Sequence, residues 1–63
     1  MTRAEALAII YRDAYEDAAN FGEHPDICAY SATRCRDFYS SCSLSVLEGA
    51  IEDHTGTRYS IVS

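Results

Sequence analysis

Three cysteines recur at intervals of seven residues in the middle of the sequence, at Cys28, Cys35 and Cys42. Together with the two histidines of the chain, His24 and His54, they have the composition of a small zinc site. Their spacing argues against one, because seven residues along a helix separate side chains by about 10.5 Å, whereas zinc ligands lie about 2.3 Å from the ion. The same separation excludes a disulfide within one helix, since bridged Cα atoms lie about 5.5 Å apart. We therefore expect the thiols to be core side chains, with metal binding and an intermolecular or redox role as the alternatives.

The two histidines could carry other chemistry. His24 lies beside Pro25 and four residues before Cys28, where it could cap the next helix, remain free in a loop, or act as a base toward the thiol. We predict a loop histidine, because nucleophilic catalysis also needs a third group that orients the base. His54 falls on the apolar face of the last predicted helix, so we expect a boundary residue with a hydrogen bond rather than a ligand or a pH switch.

Neighbouring carboxylates, Glu16 with Asp17 and Glu52 with Asp53, are the remaining candidates for acid and base catalysis. Both pairs fall on exposed helix faces, where neither burial nor a close partner prepares one of them as an acid. The sequence contains no glycine-rich phosphate loop, triad motif or metal motif, and we expect 63 residues to be too few to enclose a substrate-sized pocket. We predict that the protein is not an enzyme and has no catalytic residue, metal or cofactor.

Length and charge limit the other possibilities. Residues 1–63 suffice for one domain with one small core, and a hydrophobic share of 48% with a charged share of 24% is typical of a folded chain. The net charge of -5 repels phosphate backbones and anionic lipid, so we expect no direct nucleic-acid binding and no membrane association. The sequence has neither a membrane-length apolar run nor the pattern of a signal peptide, which predicts a cytoplasmic protein.

The elements that would position these residues are three helices. Helix 1, over residues 3–20, is predicted to begin at a capping box of Thr2 and Glu5 and to end at Gly22. Helix 2, over residues 26–41, carries the cysteines on its expected buried face. The residues expected on the buried faces of these two helices are Leu7, Ile10, Tyr11, Ala14, Tyr15, Ala18 and Phe21 in helix 1, and Ile27, Cys28, Ser31, Ala32, Cys35, Phe38, Tyr39 and Cys42 in helix 2.

Helix 3, over residues 45–55, is predicted to begin at a second capping box of Ser45 and Glu48 and to end at Gly56. Its apolar face comprises Val46, Leu47, Ala50, Ile51 and His54. The tail, residues 57–63, alternates aromatic and β-branched residues with polar ones, a pattern typical of a strand, but no strand partner is evident in the chain. The sequence therefore predicts an all-α fold, a small three-helix bundle with an extended, strand-forming C-terminal tail.

Six side chains are predicted to bind a partner protein. Ile9 and Tyr30 fall on polar helix faces and are the expected apolar anchors, although single exposed apolar residues are also ordinary on protein surfaces. The carboxylates expected to form an acidic surface along helix 1, suited to a basic partner, are Glu5, Asp13, Glu16 and Asp17, with Glu23 beyond its end.

The profile of the whole chain, short, acidic, without catalytic motifs and rich in Asp, Glu and Tyr, resembles that of small phage-encoded inhibitors of the anti-CRISPR type. The resemblance implies a stoichiometric blocker of a host nucleic-acid-binding complex, with the acidic helix 1 surface in the nucleic-acid path. The alternative is a homodimeric or larger structural protein that pairs through its tail at Tyr59 to Val62. A helix-turn-helix DNA reader is disfavoured, because helix 2 has no basic stripe.

Overall fold

A computed structural model of the chain describes residues 1–62, which form three α-helices and no β-strand. Helix α1 spans Arg3–Asn20, α2 spans Pro25–Ser40 and α3 spans Leu44–Thr55. The predicted all-α class is confirmed, and each predicted helix bound lies within one residue of the observed one. None of the helices in residues 1–62 has the length and apolar character needed to cross a membrane.

Helix α1 begins and ends at the predicted local signals. Thr2 Oγ1 accepts the N–H of Glu5, and the Glu5 carboxylate accepts the N–H of Thr2, each at 3.1 Å. This capping box satisfies two backbone donors of the first turn. At the other end Gly22 adopts a φ of 84°, and its N–H donates to the carbonyl of Ala19. Glycine adopts this left-handed conformation without steric cost, so the chain turns here toward α2.

Helix α2 is capped by His24, whose Nδ1 accepts the N–H of Asp26 at 3.1 Å, and Pro25 occupies the first turn. The prediction of a free loop histidine was therefore wrong, and the capping alternative is observed. Proline fits the first turn because its missing N–H would have no partner there.

Helix α3 is capped by Ser43, not by the predicted Ser45. Ser43 Oγ accepts the N–H of Val46 at 3.3 Å. The predicted partner of Ser45, Glu48, instead accepts the N–H of Ile61 at 2.9 Å. The helix ends as predicted at Gly56, which adopts a φ of 78°.

The core lies between α1 and α3, and the C-terminal segment closes it. Its buried side chains are Ala6, Ile10, Leu47, Ala50, Ile51 and Ile61. Helix α2 packs chiefly on α1 and buries Cys28 and Ala32 there.

Alanines occupy the helix contacts in place of several larger side chains. Phe21, Ile27, Phe38 and Val46, which were expected on buried faces, are exposed. The fully buried positions of α1 and α2 are instead Ala6, Ile10, Cys28 and Ala32. Ile9 departs from its prediction in the other direction, because it is half-buried and packs against the core.

The C-terminal segment is extended, but the predicted strand is not formed by its described residues. Thr2 and Val62 make one isolated parallel bridge, in which Arg3 N–H donates to Val62 O at 3.0 Å and Val62 N–H donates to Met1 O at 2.9 Å. The expectation that this segment has no partner within the chain was wrong, because the N-terminal residues supply one. Ser63, also part of the predicted tail, lies outside the described residues.

Candidate protein-binding surface

The three cysteines do not form a joint site. Cys28 is buried against α1, whereas Cys35 and Cys42 are half-buried, and all three are free thiols. Cys42 lies beyond the end of α2, where its thiol donates to the Phe38 carbonyl at 3.3 Å. Within residues 1–62 no cluster of histidine, cysteine and carboxylate side chains has the geometry to hold a metal ion.

Cys35, His54 and Asp13 nevertheless line the same groove, in an arrangement that has the residue types of a nucleophile, a base and an orienting carboxylate. The Asp13 carboxylate contacts the His54 ring through Nδ1 and links α1 to α3. No hydrogen bond joins that ring to the Cys35 thiol among the contacts of residues 1–62. Burial, and then the negative charge of Asp13, raise the pKa of Cys35 above its ordinary value. The thiol is therefore kept protonated, which is the opposite of nucleophile activation.

The carboxylates divide into those that have partners and those that do not. Within residues 1–62, four of the ten acidic side chains cap no helix and lie beside no arginine or histidine nitrogen: Glu16, Asp17, Glu23 and Asp53. Arg58, which could have compensated one of them, lies 3.5 Å from Glu48 and 3.9 Å from Glu52. Negative charge therefore remains uncompensated around the end of α1 and the following loop.

Two of these carboxylates, Asp17 and Glu23, line a groove of about 470 Å³ between α1 and α2. Its apolar lining comprises Ala14, Ala18, Phe21 and Ile27, and its other lining residues are Asp13, Ser31, Cys35 and His54. Phe21 is 83% exposed and Ile27 is 48% exposed. Large apolar side chains beside uncompensated charge have the composition of a protein-binding surface.

A row of exposed side chains continues from this groove along α2: Ile27, Tyr30, Arg34 and Phe38. At about 100° per residue these positions fall within an arc of about 80°, and they extend over about 16 Å of helix. Arg34 Nη1 donates to Tyr30 Oη at 3.0 Å, and its guanidinium lies 5.7 Å from the centroid of the Tyr30 ring. Tyrosine, arginine and large apolar side chains recur at the energetically dominant positions of interfaces.

The structure separates the carboxylates that were predicted to share one surface. Glu5 is used in the capping box, where the hydrogen bond from the Thr2 backbone lowers its pKa. Asp13 is paired with His54. Glu16 lines a second hollow, formed with Arg12 and the stacked rings of Tyr11 and Tyr15. Of the predicted acidic set on helix 1, only Asp17 lies free beside the apolar groove.

Tyr30 is exposed as predicted, but Ile9 is not available as an anchor because it packs on the core. Sequence reasoning missed the exposure of Phe21, Ile27 and Phe38. No signal within the sequence of either helix distinguishes these exposed side chains from the buried ones, because both sets follow the same helical period.

Comparison of the chain with protein-family models, with curated proteins and with solved structures finds no match.

Proposed function

We propose that this protein is a non-catalytic protein-binding module whose partner is a basic, nucleic-acid-binding complex of a host cell. The observation that carries the proposal is that one groove contains both unpaired carboxylates and exposed apolar side chains. The carboxylates are Asp17 and Glu23, which have no ion pair within residues 1–62, and the apolar side chains are Phe21 and Ile27. The carboxylates would attract a basic surface, and the apolar side chains would be buried on contact.

The inhibitory role follows from the charge. A surface that normally holds a nucleic-acid backbone is rich in arginine and lysine, and the same positive potential attracts a protein of net charge -5. A protein bound there excludes the nucleic acid by occupying its path. This is the mode of action that the resemblance to anti-CRISPR inhibitors implies.

The test is a competition experiment with purified CRISPR surveillance complexes of several types and labelled target DNA. The wild-type protein is expected to reduce DNA binding by one of the complexes at stoichiometric concentration. Asp17→Asn should raise the concentration needed, whereas the matched control Asp53→Asn, on α3 and outside the groove, should not. Unchanged DNA binding by every complex at saturating protein would contradict the inhibitory role.

Homo-oligomerisation through the tail is the alternative function, and one of its two supports, the unpaired tail, is weakened, whereas the small size of the core still favours it. The backbone groups of the tail near Val62 bond to Met1 and Arg3 of the same chain. Sedimentation at increasing protein concentration tests this alternative, and a constant monomer mass would remove it.

A further inference from the structure

We propose that the groove between α1 and α2 binds one face of a basic amphipathic helix of the partner. This inference rests on the proposed function, since it specifies which kind of segment the module holds. The partner helix would place an apolar side chain in the groove and a basic side chain one turn away from it, and it would be about three turns long.

The apolar part of the groove is suited to large side chains. A volume of about 470 Å³ lies within the range of about 300–1,000 Å³ that is usual for binding pockets, and its walls include Phe21, Ile27 and the small side chains of Ala14 and Ala18. The small side chains of the alanines leave space for a partner side chain, and the ring of Phe21 beside them is exposed to solvent in the free protein. One or two leucine- or phenylalanine-sized side chains of a partner would bury this surface.

The charged part of the groove selects a basic partner. Asp17 and Phe21 are four residues apart at the end of α1, so they lie one above the other on its surface. A partner that places an apolar side chain against Phe21 therefore meets the Asp17 carboxylate one turn away, and Glu23 lies in the same groove. A second copy of this chain is a poor occupant, because each copy carries a net charge of -5.

A helix fits the groove better than an extended peptide does. An extended peptide that adds a strand needs a free sheet edge, and residues 1–62 contain no strand to offer one. A hydrophobic groove instead accepts the apolar face of an amphipathic helix. The exposed row of Ile27, Tyr30, Arg34 and Phe38 extends this surface along α2 by about 16 Å, which is the length of three helical turns. Three of its four side chains are apolar or aromatic, and the fourth, Arg34, donates a hydrogen bond to Tyr30.

The experiment measures binding of a dye-labelled 14-residue synthetic helix, made of leucine and lysine in an amphipathic pattern, by fluorescence anisotropy. A peptide of the same composition in scrambled order, with the same charge and no apolar face, is the matched probe. The amphipathic peptide is expected to bind at least about tenfold more tightly than the scrambled one. Amide resonances of the wild-type protein should shift around residues 14–31 on its addition.

Two pairs of variants locate the site. Ile27→Ser and Asp17→Asn are each expected to weaken binding of the amphipathic peptide by about fivefold or more. Their controls, Val46→Ser and Asp53→Asn, remove a similarly exposed apolar side chain and a similarly unpaired carboxylate outside the groove, and should stay within about twofold of wild type. The circular dichroism of each variant confirms that it is folded, which is expected because all four side chains are exposed.

The outcomes separate this inference from the proposed function. The groove inference is overturned if the scrambled peptide binds as tightly as the amphipathic one, or if Ile27→Ser has no more effect than Val46→Ser. Inhibition of DNA binding in the competition experiment could still hold in that case. If the amphipathic peptide binds as expected while no surveillance complex is inhibited, the groove inference stands and the inhibitory function fails.

Discussion

Replacing Ile61 with alanine tests whether the C-terminal segment belongs to the core. The side chain of Ile61 is 4% exposed and joins the cluster formed by α1 and α3. Truncation of a buried isoleucine to alanine costs about 2–5 kcal/mol. A domain of this length has a free energy of unfolding of about 3–9 kcal/mol, from about 0.05–0.15 kcal/mol per residue. A loss at the lower end, about 2 kcal/mol, would already lower the Tm by about 8–16 °C.

The substitution isolates the side chain, because the backbone N–H of residue 61 can still donate to Glu48 in the variant. Urea unfolding followed by circular dichroism measures the effect. Val62→Ala is the control, since Val62 is 58% exposed and should cost less than about 0.5 kcal/mol. Equal stability of Ile61→Ala and wild type would refute the docked position of the segment. An unfolding midpoint that rises with protein concentration would instead indicate that the segment pairs between copies.

Three further predictions concern single contacts. Asp13→Asn should destabilise the fold by about 1 kcal/mol relative to Asp53→Asn, because it removes the charged partner of half-buried His54, and equal urea midpoints would contradict this. The lowered pKa of Glu5 implies that its carboxylate stabilises the fold. This contribution is complete above its ordinary pKa of 4.5 and is lost as the pH falls through the lower pKa of the folded state. Glu5→Gln should therefore flatten the fall of Tm below pH 4.5. The raised pKa of Cys35 predicts that iodoacetamide alkylates this thiol slowly until the pH exceeds 9.0, which mass spectrometry measures. Fast reaction at pH 7 would instead show an activated thiol.

The helix positions could be predicted because their signals are local. The capping box at Thr2 and the glycine at Gly22 each act within a few residues, and α1 begins and ends where they indicate. The capping residue of α3 was predicted wrongly because Ser43 and Ser45 both offer a capping hydroxyl. In the structure Ser43 caps the helix, and Glu48, which a capping box at Ser45 would require, accepts the N–H of Ile61 instead.

The binding surface was less predictable because it depends on how the helices pack. Hydrophobicity assigned Phe21 and Phe38 to the buried faces, whereas in the structure both rings are exposed and Ala6 and Ala32 are fully buried. The carboxylates predicted to form one acidic surface are separated for a similar reason, because the packing of α3 brings His54 to Asp13. No pattern within one helix encodes such a contact between helices.

The most direct test of the binding surface is the affinity of a purified surveillance complex for the wild-type protein and for the double variant Asp17→Asn/Glu23→Gln, measured across a range of salt concentrations. The wild-type affinity is predicted to fall steeply with salt, because exposed carboxylates attract the basic surface. The double variant should bind more weakly at low salt and depend less on salt. Equal affinities with the same salt dependence would show that these carboxylates do not hold the partner.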